Sequence, residues 1–301
     1  MLESLVTFTG SRSEEIFYLV VTQIEHIGSR LTNECFNLSE YVANPSAEKR
    51  GEQLKKFLQL MYKTIEECNA TFPLLHSGCI PEEFFNNQRS FLRGFGRSKP
   101  FPEGLIFEGV EPTAKRLDIM GKAFYISTKD TSNHNLLRML ENCSKSSSLK
   151  IIANGATAGQ SSFIHLLDII LGVDLKNSSI SHFKERMRCY MPKGHRTFLD
   201  DVKPVCIALR EIIKTDHSNI LPLFNSCVEA LTAFRRFHIG VVQRYIIQPQ
   251  KLRENFLSYN KPTEGVDSDT QEKLEGTSGT DILPFLKFSC DRTVEAKLNS
   301  N

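Results

Sequence analysis

A long predicted helix carries the two side chains best placed for cofactor chemistry. Over residues 221–248, apolar residues recur at steps of three and four, which predicts a helix with one apolar face. His238 and Arg235 are the polar members of that face and lie one turn apart. A neutral imidazole in such a setting can bind a haem iron, and a guanidinium one turn away can pair with a haem propionate. The alternative interpretation is a core histidine hydrogen-bonded to a backbone carbonyl, with Arg235 reaching the surface.

A carboxylate, Asp168, lies within the apolar run FIHLLDIILG. Because a lone carboxylate is costly in an apolar helix, we expect a cationic partner, and Arg235 is the candidate. The alternative is a partly exposed aspartate. The preceding segment, ATAGQSS, consists of small residues such as Ala158 and Gly159, which would let the backbone approach a flat ligand closely.

Two phenylalanines and an arginine form a second group, on the predicted helix that begins at Pro81. Arg89 follows Phe85 by four residues, so the two share a helix face. With Phe84 they suit a ligand that is aromatic at one end and carries a carboxylate at the other. The alternative is a core phenylalanine and a solvated arginine. The segment GTSGT, residues 276–280, is either a flexible closing loop or a simple linker.

Helical periodicity dominates the chain and predicts an all-α class. The predicted helices span residues 14–31, 46–68, 81–95, 135–143, 161–171, 181–190, 202–214, 221–248 and 281–298. No alternation of apolar and polar residues indicates a substantial sheet. Residues 94–115 are rich in Gly and Pro and are predicted to be a long loop, and the polar stretch 251–280 is predicted to be a mobile loop.

Composition argues against several functional classes. The 301 residues, 40% of them hydrophobic, are enough for one large domain or two smaller ones. A formal net charge of +2, from 37 basic and 35 acidic residues, predicts no extended surface for nucleic acid or an anionic membrane. The eight cysteines lack zinc-site spacing, and the chain shows no secretory signal and no membrane-spanning run. We expect a cytoplasmic monomer with reduced thiols.

Five segments occur in a distinctive order along almost the whole chain. They are FFNNQR, GATAGQSS with FIHLLDIILG, RCYMPKGHRTFL, RRFHIGVVQRYI and GTSGTDILPFLK. Together they resemble the indoleamine 2,3-dioxygenase family of haem enzymes. The resemblance implies a single all-α catalytic haem domain over residues 1–301, with 251–280 as a mobile loop and without the small N-terminal domain of the family. It implies haem b as cofactor, and cleavage of the indole ring of tryptophan, or of another indoleamine, by molecular oxygen to N-formylkynurenine, the first step of the kynurenine pathway.

The resemblance also implies roles for individual residues. His238 would be the proximal iron ligand, and Arg235 with Asp168 would brace a haem propionate. The other residues implied at the haem are Ala158, Gly159, Phe17 and Val242. The residues implied at the substrate are Phe84 and Phe85 against the indole, Arg89 on the carboxylate, and Thr277 in the closing loop. No side chain is expected to act as a catalytic acid or base.

Two features depart from the pattern of the family. The chain begins almost where the small N-terminal domain of the family ends, and Val21 stands where the mammalian enzyme has a distal serine. The alternative functions are a truncated haem-binding homologue with little or no dioxygenase activity, and an interaction protein without haem. His195 is interpreted as structural, and His165 as a core or haem-edge residue and not a second axial ligand.

Overall fold

The computed structural model describes most of the helical chain and four short strands. The described residues are 2–95, 105–108, 116–119, 122–125, 148–151, 153–173, 179–215, 220–259 and 282–299. Contacts group the chain into two compact units. The helical unit comprises Met1–Phe91, Ala158–Leu274 and Asp281–Asn301, and the smaller unit comprises Leu92–Thr157 and Glu275–Thr280. The single domain expected over residues 1–301 stays a prediction.

The helical unit is built from twelve described α-helices, the sixth of which ends at the first residue of the smaller unit. They are α1 (Arg12–Cys35), α2 (Leu38–Ala43), α3 (Ala47–Asn69), α4 (Phe72–His76), α5 (Pro81–Glu83), α6 (Arg89–Leu92), α7 (Ser162–Leu171), α8 (Ser179–Arg188), α9 (Lys193–Thr215), α10 (Ile220–Val242), α11 (Gln248–Tyr259) and α12 (Ile282–Val294). The all-α class is confirmed. Among these helices, none is long and apolar enough to cross a membrane.

Helix α10 is central to the core because it packs against α3 on one side and α12 on another. An apolar stripe on α3 is fully buried, at Leu54, Phe57, Leu58, Met61 and Ile65. This burial of apolar surface is the main favourable contribution to folding, and it fixes the orientation of α10. The seven cysteines in the described ranges are free thiols.

Helix α7 is held at both ends by specific polar contacts. Ser161 caps its N-terminus by accepting a hydrogen bond from the Ile164 amide at 3.2 Å. At the other end Gly172 adopts a left-handed conformation, with φ of 71°. Arg210 of α9 lies against it and donates to the Ile169 carbonyl at 2.8 Å. A side chain at position 172 would collide with this guanidinium, so the glycine lets the cap close.

Among its described residues, the helical unit is interrupted by two five-residue π-helical turns. One, Phe84–Gln88, joins α5 to α6, and the other, Gln243–Ile247, joins α10 to α11. Each wide turn inserts an extra residue into the helical repeat and redirects the side chains that follow. The chain continues as helix beyond the second turn to Tyr259. The prediction of a helix that ends at residue 248 and a loop that begins at residue 251 is therefore wrong for residues 251–259. Pro249 is the second residue of α11 and directly follows this wide turn, which lets the helix continue past a residue that lacks a backbone N–H.

Helix α9 begins at Lys193, nine residues before the predicted start at position 202. The predicted helices at 161–171, 181–190 and 281–298 correspond to α7, α8 and α12, with ends shifted by a few residues. Helix ends are set by capping contacts, which periodicity alone does not specify. The helix predicted at 135–143 lies outside the described residues.

In its described residues, the smaller unit contains two antiparallel strand pairs that were not predicted from the sequence. Strand β1 (Leu105–Glu108) pairs with β4 (Ser148–Ile151), and β2 (Arg116–Ile119) pairs with β3 (Lys122–Tyr125). The predicted loop over 94–115 is therefore partly strand. In this unit Gly94 lies so close to residues 153–155 that a β-carbon on it would be 2.3 Å from the Ala153 carbonyl oxygen. Strands of four residues are too short to show a reliable alternating pattern.

Candidate functional site

A buried carboxylate, Asp168, is held between two cations in the helical unit. Its Oδ1 accepts from the Arg235 guanidinium of α10, and its Oδ2 pairs with the Lys184 ammonium of α8. The Asp168 side chain is only 7% exposed. The structure thus contains the pair inferred from the sequence, together with a second cation that the sequence did not indicate. The alternative of a partly exposed aspartate is wrong.

Arg235 is fixed by a second helix as well. One of its terminal nitrogens, Nη1, donates to the Ser289 carbonyl at 2.6 Å and also to the Ser289 hydroxyl. Ser289 lies on α12, so the guanidinium ties α7, α10 and α12 together. Burial lowers the pKa of Arg235 to about 10. Arg235 does not reach the surface, which rules out the alternative proposed for it.

His238 lies one turn beyond Arg235 on α10, and its ring is only partly accessible. Burial, with a smaller contribution from the Arg235 cation, lowers the pKa of His238 to about 4. The imidazole is therefore neutral at physiological pH. Within the described ranges it makes no hydrogen bond, so the alternative of a core histidine bonded to a backbone carbonyl is not what the structure shows. A neutral imidazole with a free nitrogen lone pair is the form that ligates a metal.

His165 of α7 has an ordinary structural partner instead. Its Nε2 lies 2.9 Å from the Gly159 carbonyl oxygen. Burial, followed by the nearby Lys184 cation, lowers the pKa of His165 to about 4. The neutral ring donates to that carbonyl and so secures the short 3₁₀ turn Ala158–Gln160 against α7. This geometry agrees with the interpretation of His165 as a core residue.

We expect the depressed pKa of His165 to make the fold sensitive to mild acid. An unfolded histidine titrates near 6.5, so between about pH 6.5 and 4 the unfolded chain binds more protons than the folded one. The free energy of unfolding should fall as pH decreases through this window, with His165 contributing up to about 3 kcal/mol. His165→Gln keeps a donor but cannot titrate, so urea unfolding at several pH values should show a shallower slope. His195→Gln, at an exposed site, is the control; an unchanged slope in His165→Gln would contradict the assignment.

Gly159 and Ala158 occupy different environments in the 3₁₀ turn. A β-carbon on Gly159 would lie 2.7 Å from the Phe183 ring, so this glycine allows α8 to pack closely. Ala158 is exposed. Val242 is buried in an apolar cluster with Ile247 and Ile282. The roles of these three predicted residues at a cofactor stay predictions.

The predicted aromatic group is buried around the first π-helical turn. The Phe84 ring centroid lies 5.0 Å from that of Phe17 on α1 and 5.8 Å from that of Tyr245. The Arg89 guanidinium carbon lies 5.3 Å from the Phe85 ring centroid, and Arg89 is buried. The shared face inferred for Phe85 and Arg89 is therefore present, and the alternative of a solvated arginine is wrong.

Tyr245 joins this aromatic group to the helix that carries His238. It lies in the second π-helical turn, two turns beyond His238. Its hydroxyl is 3.1 Å from both the Cys79 carbonyl oxygen and His76 Nδ1. The hydroxyl thus fixes the ring that supports Phe84. A spacing of seven residues is compatible with a shared face for Tyr245 and His238, but no sequence pattern indicates the contact of Tyr245 with Phe84.

Three further residues were considered in the sequence: His195, Val21 and Thr277. The exposed His195 ring lies 2.9 Å from the Ser162 hydroxyl, an exposed polar contact consistent with a structural role. Val21 on α1 is 47% exposed. Thr277 and the segment 276–280 lie outside the described residues, as does the rest of the predicted loop from 260.

Lys184 and Ser289 are the site residues that sequence reasoning missed. Lys184 stands in an otherwise ordinary amphipathic helix, and serine on α12 carries no motif. Neither residue type signals burial, because lysine is usually exposed. Only the packing of α8 and α12 around α7 and α10 brings them to Asp168 and Arg235.

Comparison with known proteins gives a consistent result. The family model described as indoleamine 2,3-dioxygenase matches residues 1–296. The chain is 27% identical to rat indoleamine 2,3-dioxygenase 1 and 26% identical to human indoleamine 2,3-dioxygenase 2, in each case over 99% of this chain and 62% of the relative. It is 29% identical to a 6-hydroxytryptophan 2,3-dioxygenase of Fusarium equiseti, over 98% of this chain and 64% of the relative. The chain thus spans less than two thirds of the length of these relatives. The match to the family model covers nearly the whole chain, and the chain belongs to the indoleamine 2,3-dioxygenase family.

Proposed function

We propose that the chain binds haem through His238 and acts as a dioxygenase that opens the indole ring of tryptophan to N-formylkynurenine. The observation that carries the proposal is the neutral His238 imidazole, without a hydrogen bond among the described residues, one turn from a buried cationic cluster. Family membership supports a dioxygenase reaction. The substrate, the kynurenine pathway, the cytoplasmic location and a monomeric state belong to the proposal.

The residues present fit a haem group. A neutral imidazole can bind haem iron, and His238, which is held in that form, would be the residue that binds it. Haem propionates are carboxylates, and Arg235 is a buried guanidinium within one turn of the imidazole. When bound, haem would supply the activation of molecular oxygen, which side chains alone cannot provide.

The protein's own contribution would be to bind and orient the substrate. Phe84 and Phe85 offer aromatic faces to an indole, and Arg89 offers a guanidinium to the carboxylate. Phe17 and Tyr245 hold Phe84 in place. An indole ring that is held in one orientation reacts faster, because the entropy of alignment has already been lost on binding. Binding of an indole ring and of a carboxylate agrees with the names of the relatives, which include indoleamine and 6-hydroxytryptophan dioxygenases.

An absorption spectrum of the protein expressed with a haem precursor tests the proposal. We expect a Soret band that shifts when dithionite and carbon monoxide are added, as a histidine-ligated haem with one open face would show. Assay of N-formylkynurenine from tryptophan then tests turnover. A shifting Soret band without product would indicate the haem-binding homologue with little activity. No Soret band despite haem supply would overturn the proposal.

Arg89→Ala tests the substrate role. We expect KM for tryptophan to rise by about ten- to a hundredfold, from the loss of a charge-assisted hydrogen bond of about 1.5–3 kcal/mol. Binding of tryptamine, which lacks the carboxylate, should be unaffected, and haem content should not change. The matched control is Arg244→Ala, since the exposed Arg244 guanidinium carbon also lies near an aromatic ring, 6.0 Å from the Tyr245 centroid. An equal loss for tryptophan and tryptamine would remove Arg89 from the carboxylate role.

A further inference from the structure

The cluster around Asp168 holds more positive than negative charge. Lys184 and Arg235 each pair with one oxygen of the same carboxylate. Their side chains are only 17% and 10% exposed. Two cations against one anion leave an excess of one positive charge in a largely dehydrated setting. An uncompensated buried charge is costly, because protein surroundings solvate it less well than water does.

Other described groups near the cluster do not supply the missing negative charge. His165 is neutral, and Arg188 is already paired with Asp200 at 2.6 Å. Cys290, the thiol near Arg235, donates towards the Thr232 carbonyl oxygen. Within the described ranges, Asp168 is the only acid paired with either cation. Burial, followed by the neighbouring Arg235 cation, lowers the pKa of Lys184.

The position of Lys184 affects how much of the Arg235 positive charge Asp168 compensates. A guanidinium has five N–H donors. Arg235 uses three of them in the bonds to Asp168 Oδ1, the Ser289 carbonyl and the Ser289 hydroxyl, which leaves two without a partner among the described residues. Because Lys184 pairs with the other oxygen of Asp168, the single carboxylate charge is shared by two cations, and Arg235 contacts only Oδ1. Lys184 therefore leaves part of the Arg235 positive charge uncompensated by Asp168 and available to another anion.

We propose that Lys184 is a positioning residue for a carboxylate of the bound cofactor, which completes the charge balance of the Asp168–Lys184–Arg235 cluster. The proposal rests on the proposed function, since the carboxylates are the propionates of haem. The cofactor is favoured over the substrate as the source of the carboxylate because the cluster lies one helical turn from His238, whereas the substrate carboxylate has Arg89 as a separate cation.

Metal-free protoporphyrin and its dimethyl ester test this proposal independently of iron. Both probes share the ring, but only the free acid carries the carboxylates. Fluorescence titration of the full chain should show that the acid binds at least about tenfold more tightly than the ester, as expected for a charge-assisted contact. Lys184→Met should remove about tenfold in affinity for the acid and leave affinity for the ester unchanged. Lys297→Met, which breaks the exposed pair with Glu229, should change neither.

Two other results of the titrations would overturn the proposal. Equal losses for acid and ester in Lys184→Met would show that Lys184 only supports the fold, and would overturn the proposal. A loss for tryptophan but not for the porphyrin acid would assign the carboxylate to the substrate, and would also overturn it. Lys184→Gln provides a second uncharged variant if the methionine variant does not fold. The His238→Ala variant should still bind the porphyrin acid more tightly than the ester. A missing Soret band in the wild type would therefore count against His238 as the iron ligand and not against the role of Lys184.

Discussion

Replacing Asp168 by asparagine should lower the free energy of unfolding by about 3–5 kcal/mol, the range for removing one partner of a buried ion pair. The substitution keeps the shape of the side chain but leaves Lys184 and Arg235 facing each other without a counter-charge. Urea unfolding followed by circular dichroism measures the change. A loss of this size is a large share of the stability of a typical domain, so the variant should unfold at a much lower urea concentration.

Asp200→Asn provides the matched control for this prediction. Asp200 also pairs with an arginine, at 2.6 Å from Arg188, but its side chain is 64% exposed. An exposed pair contributes at most about 1 kcal/mol because water already solvates both charges. The double variant Asp168→Asn with Lys184→Met should recover part of the loss, because one of the two unpaired cations is then absent. Similar stability of the Asp168 and Asp200 variants would show that the buried carboxylate does not hold the cluster together.

His238→Ala should lower haem affinity by at least about a hundredfold, since even changes beyond the direct ligands cost about ten- to a hundredfold in metal affinity. The wild-type imidazole is neutral and has no hydrogen bond among the described residues, so its loss removes a ligand without breaking a structural bond. Titration of the apo-protein with haem, read at the Soret band, gives the affinity. Added imidazole should restore part of the band by entering the space that the ring vacates.

His195→Ala is the control for His238, because His195 is exposed and contacts only the Ser162 hydroxyl among the described side chains. Its haem affinity should equal that of the wild type. Circular dichroism should show the same helix content in both variants. Full haem occupancy of His238→Ala would assign the ligand to another residue and would remove the central support for the proposed function.

Several features of this protein could be predicted because they are encoded over short stretches of sequence. The apolar stripe of α3 and the apolar face of α10 follow from helical periodicity, and both are buried as expected. The contact between Phe85 and Arg89 follows from a four-residue spacing. The partnership of Asp168 and Arg235 was predicted for a different reason, namely that a carboxylate in an apolar helix requires a cation.

The tertiary structure alone decided the rest, because the deciding contacts join distant parts of the chain. Arg235 is separated by 67 residues from Asp168 and by 54 from Ser289. No local pattern indicates that Lys184 is buried at the same carboxylate, since lysine in an amphipathic helix is normally solvated. Helix α11 passes the point where Pro249 suggested an end, because a π-helical turn restarts the helix there. Sequence periodicity thus determined which faces are apolar, whereas helix packing determined which charges meet, and the excess positive charge beside His238 is a consequence of that packing.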